Sequence, residues 1–275
     1  MSARFNIKAA DPEAVACLQR ELHMPHFIAA TLVSRGIDTS EAANRFLSPS
    51  LDRDWRDPYT IPGLADVADA LEAAIRRGDH ILVFGDFDLD GISATTVMTR
   101  GLRALGATVT PFIPRRFEEG YAITPAAIER LSQVNPDFLV TVDCGIACKE
   151  EVRLLEQRGI QVAITDHHEP SDLVPEGVPV ADPKCDAACP SAILAGVGVA
   201  LKMVQALGGR FGKPHLWRQF TDFATLGTIA DLMPMRDENR ALVADGLRHI
   251  NETPRPCIAA LLETSGAAAK QVTAT

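Results

Sequence analysis

The chain has 275 residues and a mass of 29.6 kDa, which corresponds to one large domain or two modest ones with ample core. This length excludes a small disulfide scaffold, and a composition with 47% hydrophobic and 23% charged residues argues against a largely disordered chain or a low-complexity protein. The net charge of -9 argues against a protein that coats nucleic acid through overall positive charge, so local groups must recognise any phosphate-bearing partner.

The first 78 residues carry the spacing of short helices. Apolar residues recur at helical intervals in three stretches, residues 15–22, 26–35 and 40–46. The third stretch is expected to start at Ser40, whose hydroxyl can accept a first-turn N–H. A further helix over residues 65–76 is expected to end at Gly78. Residues 1–78 are therefore predicted to form a helical N-terminal segment.

From His80 onward, short β-rich runs alternate with helical stretches. The strand-like runs are residues 81–85, 108–113, 138–142 and 160–165. The helical stretches that separate them are residues 93–105, 125–131 and 149–158. This alternation predicts an α/β fold with right-handed crossovers and a parallel sheet buried on both faces. After Pro183 the pattern is mostly helical, in residues 191–207, 215–230 and 238–250.

Acidic residues follow three of the four predicted strands. They are Asp86, Asp88 and Asp90 after the first strand, Asp143 after the third, and Asp166 after the fourth, where His167 and His168 come next. Ligands of open α/β sheets bind beyond the carboxyl ends of the strands, so these side chains should share one rim. Because every second residue of an extended chain points to the same side, the side chains of the three aspartates after the first strand should point in roughly the same direction. So many carboxylates repel one another unless cations neutralise them, which indicates a metal site.

The donor set also indicates which metal binds. Oxygen donors with an imidazole suit Mn²⁺, Mg²⁺ or Fe²⁺ better than a structural zinc, which prefers cysteine and histidine. Two ions that share an aspartate stand about 3.5 to 4 Å apart and can activate water and stabilise the leaving oxygen of a phosphoryl group. The residues therefore favour phosphoester or phosphoanhydride hydrolysis. The alternative interpretation is that the Asp and Gly residues simply form ordinary turns.

At these residues the sequence resembles the DHH phosphoesterase superfamily and, within it, the RecJ single-strand-specific exonucleases. The shared motifs are GDFDLDG at 85–91, FIPRRFEEGY at 112–121, VDCG at 142–145, TDHHEP at 165–170, LAGVGVALK at 194–202 and GTIADLMPM at 227–235. The resemblance implies a DHH catalytic domain over residues 79–235, between the helical segment 1–78 and a helical extension over 236–275. RecJ proteins continue into a DHH-associated domain and an oligonucleotide-binding fold, which this sequence does not contain.

The resemblance also implies individual roles. The implied metal ligands are Asp86, Asp88, Asp90, Asp143, His167 and Asp231. Asp143 would be shared by both ions, and Asp166 would orient the histidines. His168 would face the scissile phosphate, and Arg116 would bind substrate phosphate. From spacing alone, Asp231 is typical of a helix-terminal surface residue and Arg116 of a solvated arginine.

The activity implied is a stepwise hydrolysis of single-stranded DNA from the 5′ end, which releases 5′-mononucleotides in DNA repair and recombination. Two Mn²⁺ or Mg²⁺ ions would be the cofactors. Single-stranded DNA would be the partner, with repair proteins such as a helicase or a single-strand-binding protein engaged through regions outside this sequence. Two departures from the family pattern are Leu89, in place of a small residue, and Ala122, in place of a glycine, which should stiffen the substrate loop.

The ends of the chain and its composition predict where it resides. No apolar run approaches the roughly 18 residues of a membrane span, and the N-terminus lacks the layout of a signal peptide. We therefore expect a cytoplasmic protein with no membrane partner, whose six cysteines are reduced thiols.

Other interpretations stay open. The spacing of four cysteines would suit a structural zinc, namely Cys144, Cys148, Cys185 and Cys189. A dinucleotide-binding oxidoreductase is disfavoured because the first strand lacks the G-x-G-x-x-G pattern. A phosphodiesterase for short oligonucleotides or cyclic dinucleotides would use the same cluster. A non-catalytic DHH scaffold should have lost ligands that this sequence retains. Gly196 and Gly198 are expected to serve helix packing.

Overall fold

The computed structural model describes residues 9–266 and 271–274. Its N-terminal helices are α1 (Pro12–Leu22), α2 (His26–Ser34), α3 (Ser40–Leu47), α4 (Leu51–Asp54) and α5 (Leu64–Arg77). The cap of α3 is Thr39 rather than the expected Ser40, since the Thr39 hydroxyl accepts the N–H of Ala42 at 3.2 Å. Gly78 ends α5 as expected, with a left-handed φ of 80° that glycine adopts freely.

The alternating part of the chain forms a parallel sheet. Its elements are β1 (His80–Gly85), α6 (Leu89–Ala104), β2 (Thr108–Phe112), α7 (Pro125–Ser132), β3 (Phe138–Val142), α8 (Lys149–Gln157), β4 (Gln161–Thr165) and β5 (Val180–Ala181). The five strands are all parallel and lie in the order β2-β1-β3-β4-β5, which confirms the predicted α/β class. The outer strands are β2, which contains Pro111, and the two-residue β5.

The rest of the described chain is helical, with several differences from the expected boundaries. Its helices are α9 (Gly196–Arg210), α10 (Thr221–Ala230), α11 (Asp237–Glu252) and α12 (Pro256–Thr264). The expected helix over 215–230 is a 3₁₀ turn followed by α10, and α12 lies within the expected helical extension 236–275 beyond the stretch 238–250. Within residues 9–266 and 271–274, no helix combines the length and the hydropathy that crossing a bilayer requires.

Alternate residues of each strand face opposite sides of the sheet. Ile81 and Val83 of β1 pack against α5, α6 and α9, whereas Leu82 and Phe84 pack against α7 and α8. Both faces are covered, so the strands are apolar throughout rather than alternating with polar residues. A separate small core joins α1, α2 and α3.

The strand order brings β1 and β3 side by side although β2 lies between them in the sequence. Gly85 pairs with Val142, so the next residue of each strand stands at the same point of the rim. Thr165 of β4 pairs in the same way with Ala181 of β5. Adjacent parallel strands whose connections leave in opposite directions open a crevice at their carboxyl ends, which is where ligands bind in such sheets.

A buried ion pair fastens the N-terminal segment to the rest of the molecule. Lys202 of α9 and Glu238 of α11 are both fully buried, and the Lys202 ammonium donates to Glu238 and to the Arg56 carbonyl. It also lies 3.8 Å from the ring centroid of Trp55. Burial lowers the pKa of Lys202 to about 8, while the ammonium and the hydroxyl of Ser191 hold the pKa of Glu238 below its usual value despite burial.

We expect Lys202→Met to lower the free energy of unfolding by about 3–5 kcal/mol, because it leaves Glu238 charged, buried and unpaired. Urea unfolding followed by circular dichroism measures the loss. The matched control is Lys149→Met, which breaks a surface pair with Glu176 and should cost less than about 1 kcal/mol. Equal losses in the two variants would contradict a structural role for the buried pair.

Candidate metal centre

The turn from β1 into α6 carries three aspartates in different settings. Asp86 directly follows the strand and is buried. Asp88 is the N-cap of α6, and its Oδ1 accepts the N–H of Gly91 at 2.9 Å. Asp90 lies in the first turn of the helix and is buried. The extended alternation expected for these residues stops at Gly85, because the helix begins only four residues later.

Carboxylates and imidazoles from four parts of the chain meet at the rim in three overlapping groups. In each group the ligand atoms lie within 4.8 Å of one another: Asp86, Asp88 and Asp143; Asp143, His167 and His168; and Asp90, His167 and Asp231. Asp143 and His167 each belong to two groups. The structure thus brings the predicted ligands together but divides the first aspartate set, since Asp90 lies with His167 and Asp231.

Asp143 occupies the centre of this arrangement. It follows β3 with a φ of 61°, a left-handed conformation that non-glycine residues adopt only at a cost. Its Oδ1 lies 3.1 Å from Nε2 of His167. Burial and the neighbouring carboxylates, Asp88 foremost, raise its pKa to about 8.

Two glycines of α9 differ in their relation to this site. A Cβ at Gly196 would clash with the carboxylate of Asp143, so this glycine permits close approach of α9, whereas Gly198 only packs against Leu194.

Asp90 is held by the first amides of α9. Its Oδ2 accepts the N–H of Gly196 at 2.7 Å, and its Oδ1 accepts the N–H of Val197 at 3.1 Å. These contacts place a carboxylate at the positive end of the helix and explain why α9 begins at Gly196 rather than at the expected residue 191. Burial and the charge of Asp143 nevertheless raise the pKa of Asp90 to about 8.

Several buried atoms at the rim make no hydrogen bond with the described residues. They are Asp86 Oδ1, Asp143 Oδ1 and His167 Nδ1, of which Asp143 Oδ1 lies 3.1 Å from His167 Nε2. Burial raises the pKa of Asp86 as well. Buried polar atoms without a partner are costly, and carboxylates together with an imidazole are the donors that Mn²⁺ and Mg²⁺ accept. The residues therefore fit hard divalent cations.

Asp231 ends α10 as its C-cap residue, as expected from its spacing. Its Oδ2 nevertheless lies 3.7 Å from Nε2 of His167, and its side chain is 30% exposed. The close packing of α10 on α6 explains this position, because a Cβ at Gly227 would clash with Asp90. A helix-terminal aspartate thus joins the group because of tertiary packing.

Asp166 organises the two histidines. Its Oδ1 lies 2.7 Å from His168 Nδ1 and accepts the N–H of His167 at 2.7 Å, while its Oδ2 accepts the N–H of Ile146 at 2.9 Å. Burial opposes its charge, but the His168 contact and the backbone donors hold its pKa below the usual value. The same contact raises the pKa of His168 to about 9.

Asp182 is a carboxylate at the rim that the sequence analysis missed. It follows β5, is fully buried, and accepts the N–H of Lys184 at 2.7 Å through Oδ1, whereas Oδ2 has no described partner. Burial and the nearby charge of Asp166 raise its pKa to about 6. The available signal was an acidic residue between a short apolar run and Pro183.

Arg116 stands at the mouth of the site in the loop after β2. Its Cζ lies 4.8 Å from the ring centroid of Phe87, and its charge lowers the pKa of Asp86 against the effect of burial. Phe87 meets Tyr121 edge to face at 6.2 Å. The next residue, Ala122, has a φ of 58°, so an alanine occupies a left-handed conformation that suits glycine better.

The cysteines give no support to a zinc site. Among the described residues, no cysteine belongs to a group of donors close enough to share an ion. Cys144 and Cys148 are buried, and burial raises the pKa of both thiols, which is the behaviour of small apolar side chains rather than of thiolate ligands.

Comparison with known proteins gives consistent matches. The model of the DHH family, N-terminal domain, matches residues 80–228. The single-stranded-DNA-specific exonuclease RecJ of Bacillus subtilis strain 168 is 38% identical over 264 residues, which cover 96% of this chain and 33% of that protein. The crystal structure of Thermus thermophilus RecJ with Mn²⁺ has a TM-score of 0.79 at 33% identity and covers 97% of this chain and 38% of that one.

The crystal structure of the same Thermus protein with Mg²⁺ has a TM-score of 0.67 at 28% identity, over 97% of this chain and 34% of that one. The present chain thus spans about a third of the length of the Bacillus protein. These findings confirm the resemblance that the sequence motifs indicated.

We expect Mn²⁺ to bind more tightly as the pH rises from 6 to 8. Asp90 and Asp143, with pKa values near 8, are protonated at the lower pH, so a cation must displace their protons. Each displaced proton changes the dissociation constant by up to about tenfold per pH unit. Isothermal titration calorimetry in buffers of different ionisation enthalpy measures both affinity and proton release.

In contrast to the affinity for Mn²⁺, the free energy of unfolding of the metal-free protein should fall as the pH rises towards 8. The reason is that Asp90 and Asp143 hold protons in the native state that the unfolded chain releases above about pH 4. Asp143→Asn should weaken both dependences, while Asp172→Asn, at an exposed site, should leave them unchanged. An Mn²⁺ affinity that does not vary between pH 6 and 8 would contradict this electrostatic picture.

Proposed function

The chain belongs to the DHH family, and we propose that it is a nuclease that hydrolyses single-stranded DNA with two divalent cations, Mn²⁺ or Mg²⁺. The observation that carries this proposal is the meeting of buried carboxylates and an imidazole in three groups that share Asp143 and His167. The RecJ proteins that resemble it act on single-stranded DNA, and the matched structures hold Mn²⁺ or Mg²⁺.

The cations would be held by Asp86, Asp88, Asp90, Asp143, His167 and Asp231. Asp143 is the residue best placed to serve both ions, because it belongs to two of the ligand groups. When bound, such ions polarise phosphoryl oxygens and lower the pKa of water. The amides of α9 fix Asp90 beforehand, which reduces the reorganisation that binding requires.

His168 would supply positive charge to the substrate phosphate. With a pKa of about 9, it is an imidazolium at neutral pH. Its Nδ1 is committed to Asp166, whereas Nε2 makes no hydrogen bond with the described residues, and the side chain is 46% exposed. Nε2 can therefore donate to a phosphate oxygen as negative charge develops there. Asp166 acts by orienting this ring.

Arg116 would bind a substrate phosphate beside the cations. Its guanidinium is exposed, lies near Asp86 and is supported by the ring of Phe87. A guanidinium donates two parallel hydrogen bonds to phosphate oxygens, so its fixed position would align the scissile group. Cleavage from the 5′ end with release of 5′-mononucleotides is part of the proposal and is supported by similarity to RecJ.

We assign the catalytic unit to residues 79–235. The interval contains every proposed ligand, including Asp231. We treat residues 1–78 as a helical N-terminal segment, in which α1, α2 and α3 have their own small core while α4 and α5 pack on the core of the sheet. We propose residues 236–275 as a helical extension, whose described part contains α11 and α12.

We expect Asp143→Asn to reduce the hydrolysis rate at least 10²-fold, a loss typical for the removal of an essential polar group. The assay follows a 5′-phosphorylated single strand with Mn²⁺ and identifies the products by chromatography. Asp172→Asn is the control. A variant that keeps more than about a tenth of the activity would contradict the shared-ligand role.

The same assay tests the substrate class. A single strand should be degraded faster than a duplex of the same sequence and faster than a dinucleotide. A preference for the dinucleotide would favour a phosphodiesterase for short substrates. A folded protein that hydrolyses none of the three with Mn²⁺ would contradict the enzymatic proposal and favour a scaffold.

We expect Arg116→Gln to raise KM for the single strand about tenfold or more, since a charge-assisted contact to phosphate contributes about 1.5–3 kcal/mol. The neighbouring Arg115→Gln, whose guanidinium pairs with Glu118, is the matched control and should change KM less than about twofold. Equal effects in both variants would indicate general charge attraction instead of a specific contact.

A further inference from the structure

A cavity apart from the candidate metal centre lies between the N-terminal helices and α11. Its volume is about 620 Å³, which falls within the range of roughly 300–1,000 Å³ typical of small-molecule sites. None of the described residues that line it is a candidate metal ligand. Six arginines line it: Arg35, Arg45, Arg53, Arg56, Arg236 and Arg240.

The cavity is strongly basic in an acidic protein. Its acidic lining residues are Glu41, Asp54 and Asp237, so the lining has a formal excess of three positive charges in a chain of net charge -9. Guanidinium groups crowded into a concave surface repel one another and focus a positive potential there. An anion bound there would balance the excess charge.

Two carboxylates at or beside the cavity are already shared between cations. Asp54 Oδ2 lies 2.7 Å from Arg53 Nη2, and Asp54 Oδ1 lies 3.3 Å from Arg45 Nε. Arg56 Nη1 lies 3.0 Å from Glu238 Oε2, but Glu238 also neutralises the buried Lys202. Neither carboxylate therefore has charge left for the remaining arginines.

Three arginines of the cavity have no carboxylate partner in the part of the chain that the structure describes. The side chains of Arg35 and Arg236 make no hydrogen bond or ion pair there, and both residues are exposed. Arg240 donates to the carbonyl of Phe46 and lies 3.8 Å from the ring centroid of Phe46. This contact holds the Arg240 guanidinium in place without neutralising it.

The start of α11 adds to the imbalance. Arg236 is its N-cap residue and no side chain caps the helix there, while Asp237 and Glu238 supply acidic groups in the first turn. Arg240, four residues after Arg236, adds a like charge on the same side. An anion in the cavity would compensate the charge of these two arginines.

We propose that this cavity binds a phosphate group, either of a free nucleotide or of a nucleic-acid strand. The planar guanidinium matches phosphate oxygens in a bidentate geometry, and several arginines can engage the same group. The cavity has room for a nucleotide, while its open arginines could equally take successive phosphates of a strand. The inference does not rest on the proposed hydrolysis, because no metal ligand takes part.

The test compares two variants of the chain that lose equal charge. Arg35→Gln with Arg236→Gln removes two unpaired arginines of the cavity. Arg100→Gln with Arg153→Gln removes two exposed arginines outside it. Binding of a labelled single-stranded oligonucleotide is followed by fluorescence anisotropy, and binding of deoxyadenosine monophosphate and inorganic phosphate by calorimetry. All measurements are made with a chelator, which removes cations from the metal centre.

We expect the cavity variant to weaken binding at least tenfold for one class of probe, while the control changes it less than twofold. Loss confined to the oligonucleotide identifies a strand as the source of the phosphate, and loss that extends to the mononucleotide identifies a free nucleotide. Equal behaviour of the two double variants with every probe, when circular dichroism shows both folded, would overturn the proposal.

Discussion

Mutual repulsion among buried carboxylates at the ends of β1 and β3 is the constraint on which the site depends. Asp86 and Asp143 are adjacent because Gly85 pairs with Val142, and the raised pKa values of Asp90 and Asp143 express the cost of their burial. Hydrogen bonds from the first amides of α9 stabilise the buried Asp90 carboxylate in part. Protons on the carboxylates reduce the remaining repulsion in the metal-free protein. In our proposal divalent cations do so instead, and they provide the positive charge that phosphodiester hydrolysis requires.

Much of the fold and the rim could be predicted from the sequence because apolar runs and turn residues encode them locally. The parallel sheet and the acidic strand ends followed from that pattern. The sequence pattern did not reveal β5, because a strand of two residues has no periodicity to recognise. Asp182, which follows β5, was missed for the same reason. The separation of Asp90 from Asp86 depends on where α6 begins, and the place of Asp231 depends on how α10 packs, and neither is a local property.

The N-terminal helices contribute to more than the outer surface. Through Trp55 and Arg56 they reach the buried pair of Lys202 and Glu238, and Lys202 belongs to α9, whose first amides hold Asp90. The same Glu238 faces Arg56 at the basic cavity. A single buried network therefore connects the N-terminal segment, the basic cavity and the helix that supports the candidate metal centre.

The two outer strands have a consequence for self-association. Unpaired strand edges offer rows of N–H and C=O groups on which another chain can add a strand. Here β2 is interrupted by Pro111, which lacks an N–H, and β5 offers only two residues. Both borders are therefore poor templates for a continuous intermolecular ladder, which disfavours association through the edges of the sheet.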